Sequence, residues 1–184
     1  MVIICFCLFA ASIARAEAAD DFDWQELETK YTVIRYLSDD DLMQFDEKIV
    51  YSAASSSSGL KWLLSSSDTG DQKERIGNKV DALFRRAQEI LGMRKKMDKV
   101  RINVYNDKIQ LKEAFLRIYQ KEGNYRAWYI FEYNTVYITI ADLHEGMLAH
   151  ELAHAIIDHY MTVRPPPQSA EILARYVDSH LLKQ

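Results

Sequence analysis

Cysteine is nearly missing from this chain: of 184 residues only Cys5 and Cys7 carry a thiol, and both sit at the very start. That start, "MVIICFCLFAASIARAEAADD", is apolar from Val2 to Ala11, breaks into small residues, and offers Ala14-Arg15-Ala16 and Ala16-Glu17-Ala18 as A-x-A sites. It reads as a secretory signal peptide over residues 1–18, without the Lys or Arg that commonly precedes the apolar run. The run is well short of the roughly 20 residues that cross a bilayer, so no stable membrane span is expected in the mature form. Neither cysteine has the Leu-x-small context of a lipoprotein signal. Export to the periplasm or the outside of the cell is expected, and the mature chain would hold no cysteine. Disulfides, Cys-based zinc sites and a thiol nucleophile are then all excluded, and the fold must rest on its core and on any metal it binds.

An excess of positive charge is also lacking. The chain carries 23 Lys and Arg against 27 Asp and Glu, a formal charge of -4, with both signs mixed along its length. No basic face offers itself to phosphates, and nucleic acid is not an expected partner. Proline is scarce too: the three present are contiguous, at 165–167, where they must break the chain's periodicity once.

What is present reads as one domain with a sizeable core, preceded by a short extension. Residues 19–72 form that extension. Tyr31 to Leu37, "YTVIRYL", has strand composition, and "DDDLMQFDEKIV" sets Leu42, Phe45 and Ile49 at helical spacing behind an acidic start. The Ser-rich stretch from Ser52 to Asp71, interrupted by Leu60, Trp62, Leu63 and Leu64, reads as a loop with one docked apolar patch, a lid being the sharper alternative. Residues 73–184 form the main domain. Lys73 to Leu91 is an amphipathic helix with Gly92 just past its end. "KVRINVY" is a half-buried strand, "KIQLKEAFLRIYQKEG" a helix closed near Gly123, and "AWYIFEY" with "TVYITI" a hairpin turning at Asn134. "DLHEGMLAHELAHAIIDHY" is a long helix, Arg164 to Pro167 a break, and "SAEILARYVDSHLL" a final helix capped by Ser169. The fold class expected is α+β, a small mixed sheet packed on a helix that carries the chemistry and is followed by a glutamate-bearing C-terminal helix. The aromatics Tyr125, Trp128, Tyr129, Phe131, Tyr133 and Tyr137 suit a sheet face against helices better than a peptide groove.

Within the long helix, His150-Glu151-Leu152-Ala153-His154 matches H-E-x-x-H. Residues four apart on a helix lie one turn above each other, so both imidazoles reach one ion while Glu151, one step round, faces the ion's open position. Catalytic zinc takes three protein ligands and keeps a place for water. His159 does not supply the third on the metzincin pattern, because Ile157 stands where that pattern needs glycine and Tyr160 where it needs histidine. Asp158 lies in line with both histidines and cannot complete a tetrahedron with them, so it suits a supporting or surface role. Glu171, beyond the proline break and in the first turn of a helix able to fold back, is preferred to His180 and Asp178.

"HELAH" at 150–154 followed on a separate helix by "EILARY" at 171–176 resembles the gluzincins, the thermolysin-like and aminopeptidase-like branch of the zincin metallopeptidases. The resemblance spans about Val100 to Leu182. It implies a zincin-like fold in a small single-domain form, one zinc ion on His150, His154 and Glu171, Glu151 as general base, and a peptide or protein substrate. It implies also that the strand Thr135, Val136, Tyr137, Ile138, Thr139 and Ile140 pairs with an extended substrate. The family commonly has glycine after its ligand glutamate, where this chain has Ile172. Its thermolysin-like branch has an acid four residues on, where this chain has Arg175. Asp178, back on the same face, is a candidate acceptor for the second N–H of a ligand histidine, with an exposed salt pair as the plainer reading of Arg175 and Asp178. Donors for an oxyanion include Tyr160, Tyr176, Arg175, His144 and His159, and spacing does not choose among them. A secreted, zinc-stabilised binding module is the competing expectation, and a metal-free scaffold the third.

Overall fold

Five strands and five helices make up the residues described by this computed structural model, 22–51 and 69–181. The expected signal segment, both cysteines and residues 52–68 of the Ser-rich stretch, with Trp62, lie outside them, while Thr69 to Asp71, read as the end of that loop, open a helix. Strands β1 (Gln25–Glu28) and β2 (Thr32–Tyr36) precede helices α1 (Asp39–Lys48) and α2 (Thr69–Leu91). Strand β3 (Val100–Tyr105) and α3 (Lys108–Tyr119) follow, then β4 (Ala127–Ile130), β5 (Thr135–Thr139), α4 (Glu145–Tyr160) and α5 (Pro167–His180). The mixed sheet has the order β1-β2-β3-β5-β4. Its three inner strands are parallel, because helices connect them, and both outer strands are antiparallel, because tight turns do.

Period-two alternation sorts the side chains onto two faces. Ile34, Tyr36, Val100, Ile102, Val104, Val136, Ile138 and Ile140 are all buried in the main core, together with residues of α1, α2, α4 and α5. Tyr105, Tyr137 and Ile130 face the other way and pack with Leu111 and Ala114 of α3, flanked by Phe22, Trp24 and Trp128. Trp128 stacks on Tyr137 with ring centroids 5.0 Å apart and Tyr133 packs in the same cluster, so these three form a sheet face, while Trp128 and Tyr129 also border the cleft described below. The segment read as an extension is built into this architecture: β2 is an inner strand paired with β3, and Leu42 and Phe45 of α1 belong to the main core.

Several boundaries differ from the sequence reading for local reasons. Strand β1 was not anticipated; its burial is slight, so it carries little hydrophobic pattern. Helix α3 stops at Tyr119, four residues before Gly123, because Gln120 adopts the left-handed conformation (φ 53°) and donates its N–H to Leu116. Helix α5 starts at Pro167, with Pro166 at its N-cap and no side-chain cap, so Ser169 lies inside the first turn and does not cap it. Proline's fixed φ suits the first helical position, which has no use for the missing N–H. Helix α4 begins only at Glu145, where His144 Nδ1 accepts the Met147 backbone N–H at 3.1 Å.

The α4/α5 pair positions everything that follows. Helix α5 buries Ala170, Ala174, Val177 and Leu181 along one stripe, and α4 buries Leu148, Ala149, Leu152, Ala153 and Ile156. Small side chains on both partners let the helices approach closely, which brings the flanking Glu171 up to the histidine row of α4. Among the described residues, no helix is long and apolar enough to cross a membrane.

Candidate metal centre

His150 and His154 stand one turn apart on α4 with their Nε2 atoms 3.2 Å from each other and their rings nearly perpendicular at 73°. Glu171 reaches across from α5 and sets Oε2 3.5 Å from both nitrogens. Four-coordinate zinc with bonds of about 2.0–2.1 Å separates its ligand atoms by roughly 3.3 Å. The three edges of this triangle fit that requirement, and the three donors form the one group suited to a metal among the described residues. The other oxygen of Glu171, Oε1, accepts a hydrogen bond from Arg175 Nε at 2.6 Å. Arg175 is therefore a positioning residue that fixes the carboxylate's rotation. This i, i+4 pair replaces the Arg175–Asp178 salt pair considered from sequence.

Electrostatics favour the ligand forms. Burial, reinforced by the neighbouring His150, holds His154 below the usual histidine range, so it is neutral at neutral pH. For Glu171 burial pulls upward, but the Arg175 hydrogen bond and the two imidazoles outweigh it and hold the carboxyl below its ordinary value. Glu151 behaves oppositely. It is only 8% exposed, and burial, followed by the charge of Glu171, pushes its pKa up to about 8. Among the described residues its carboxylate has no hydrogen-bond or salt-bridge partner, although it borders open space on both sides.

That space is a cleft in two parts joined at Ala127, His150, Glu151 and Glu171. The larger part, about 680 Å³, runs past Tyr129, His154, Asp158, Arg164, Pro165 and Pro167. The smaller, about 320 Å³, lies toward Arg126, His144, Met147, Arg175 and Asp178. One wall of both is β4, the outer strand of the sheet.

The remaining expected site residues distribute unevenly. Asp158, 8% exposed, forms a 2.9 Å ion pair with Arg164, which also reaches Glu132 at 3.6 Å and stacks on Phe131. His159 is held by the Tyr129 hydroxyl at 3.1 Å and by Phe131, away from the ligand triangle. Tyr160 and Tyr176 line neither part of the cleft; both are exposed, and Tyr176 stacks on His180 at 4.0 Å. Of the oxyanion candidates only His144 and Arg175 border the cleft. Asp178 also borders it, lying against Gly146, but among the described residues it makes no hydrogen bond to either imidazole. The strand Thr135 to Ile140 requires a correction. Strand β5 is flanked by β3 on one side and β4 on the other, so its backbone groups are already paired and an added peptide finds no edge there. The outer strand on the cleft side of the sheet is β4. Arg126 was not singled out for the site from sequence, because which strand of a hairpin faces outward is decided by long-range pairing, and Arg164 was read only as part of the proline break; Tyr129, weighed as a groove aromatic, does line the cleft. No family model, no curated protein and no solved structure matches the chain.

Proposed function

We propose that the protein is a zinc-dependent peptidase of gluzincin type with a zincin-like fold, working outside the cytoplasm as its N-terminal segment suggests. One observation carries the reading: Glu151 is a nearly buried carboxylate with no protein partner, next to a His-His-Glu triangle of zinc dimensions. A metal site that only fastened α4 to α5 has no need of an acid there. Desolvating an unpaired carboxylate costs stability, and such costs are typical of groups that act on a bound molecule.

His150, His154 and Glu171 would hold the ion, with Arg175 keeping Glu171 turned toward the histidines. Zinc held there would supply Lewis acidity toward a peptide carbonyl and would lower the pKa of a water toward about 7. Glu151, beside the triangle's open side, would accept the water's proton and hand it to the leaving amine. The outer edge of β4 offers an extended peptide a strand to pair with, which keeps the scissile bond alongside Glu151. His144 or Arg175 would face the oxyanion.

The competing reading, a zinc-stabilised binding module, draws on the exposure of Tyr160 and Tyr176, which removes two of the expected donors. Zinc content and cleavage of an unstructured protein substrate, measured for the purified protein and for Glu151→Gln, separate the two. The peptidase reading requires equal zinc in both and cleavage only by the native chain. Equal zinc with no cleavage by either supports the binding module.

A further inference from the structure

The two ends of the cleft differ in free charge. At the larger end Arg164 is neutralised by Asp158 at 2.9 Å and Glu132 at 3.6 Å. At the smaller end stand Arg126 and Arg175. Among the described residues Arg126 has no hydrogen-bond or ion-pair partner, and Arg175, with 74% of its side chain exposed, commits only Nε to Glu171. Two guanidinium groups with unclaimed donors therefore border a pocket of about 320 Å³ that also contains His150, Glu151 and Glu171. Arg126 immediately precedes β4, so a peptide laid along the outer edge of that strand passes it. The opposing charges in this pocket are Glu171, whose Oε1 is taken by Arg175 Nε, and Asp178, whose carboxylate is packed against Gly146.

We propose that the smaller pocket is a carboxylate subsite in which Arg126 and Arg175 bind an acidic group of the peptide within a few residues of the bond that is cut. The inference rests on the peptidase reading and adds its substrate class: acidic peptides, recognised through either a Glu or Asp side chain or a free C-terminal carboxylate. Arginine suits the task because its planar fork engages both oxygens of a carboxylate.

The test uses fluorescent, unstructured dodecapeptide pools identical except for Glu or Gln at the varied position, each prepared with a free and with an amidated C-terminus. Binding is read by anisotropy on the zinc-loaded Glu151→Gln protein, which does not depend on turnover, and cleavage is read on the native protein. The expected result is binding of a carboxylate-bearing pool about tenfold tighter than the Gln, amidated pool, an advantage that shrinks as NaCl is raised. Preference that follows the Glu side chain identifies an internal acidic residue as the ligand, and preference that follows the free terminus identifies the chain end. Arg126→Glu should abolish the preference and favour Lys-containing peptides, a reversal that a merely structural role for Arg126 does not produce. Asp178→Asn should enlarge the preference. Equal binding of all pools to the zinc-loaded protein overturns the subsite. Charge-selective binding without any cleavage by the native chain upholds the subsite and overturns the peptidase reading.

Discussion

Of the three acids on helix α4, Glu151 and Asp158 lie seven residues apart and each is 8% exposed. Their surroundings are opposite. Asp158 is met by Arg164 at 2.9 Å, and Arg164 is itself held by Glu132 and the Phe131 ring. Glu151 is met by no partner among the described residues, and burial lifts its pKa to about 8. One buried carboxylate on this helix is thus paired and the other left alone, and under the peptidase reading the first holds structure while the second exchanges a proton. The unpaired one lines the cleft beside the His150, His154 and Glu171 triangle.

Exchanging either acid for its amide should break the comparison in opposite directions. Glu151→Gln should lower the rate of peptide cleavage by about 10²–10⁴-fold while leaving bound zinc unchanged, as assays of rate and metal content would register. Removing the partner of a ligand comes next. Arg175→Ala should weaken zinc about 10–100-fold in a competition titration with a chromophoric chelator, because Glu171 loses the contact that fixes its rotation.

Stability sharpens the same contrast. A carboxyl whose pKa rises from the unfolded 4.5 to about 8 favours the folded state fully below pH 4.5, and that contribution is lost as the pH climbs through 8. Metal-free Glu151→Gln escapes the loss. It should be more stable than metal-free native protein by about 1–4 kcal/mol at pH 8 and no more stable at pH 4.5, which thermal melts at the two pH values would resolve. Asp158→Asn should instead destabilise by up to about 1 kcal/mol at neutral pH, since Arg164, half exposed and still near Glu132, loses its closer charged partner. The smallest effect is expected at Ser169→Ala. With no capping bond to lose, the melting temperature should move by no more than about 0.5 kcal/mol of stability implies.

The triangle's two histidines were legible in the sequence because an i, i+4 spacing has a fixed meaning on a helix. Glu171 was legible only through elimination and resemblance, since nothing local to α5 says that it folds back onto α4. The period-two strands and amphipathic helices were equally open to reading, and with them the mixed α+β class. Sheet order was not. The hairpin "AWYIFEY"–"TVYITI" has the same pattern whichever strand ends outermost, and the choice depends on β5 pairing with β3, about thirty residues upstream in register. For the same reason Arg126 carried no signal: its importance comes from standing at the end of an outer strand. The start of α5 was misread because Ser169 has the usual cap composition, while three successive prolines preset the backbone one turn's fraction earlier.

The distinction between an acid that binds metal, an acid that holds structure and an acid left free can be tested in one experiment on zinc stoichiometry. Native protein, Glu151→Gln, Asp158→Asn and His154→Ala are loaded with zinc, dialysed together and measured for metal per chain. The account predicts close to one zinc in the first three and none in the fourth. Loss of zinc from Glu151→Gln, or its retention in His154→Ala, would contradict it.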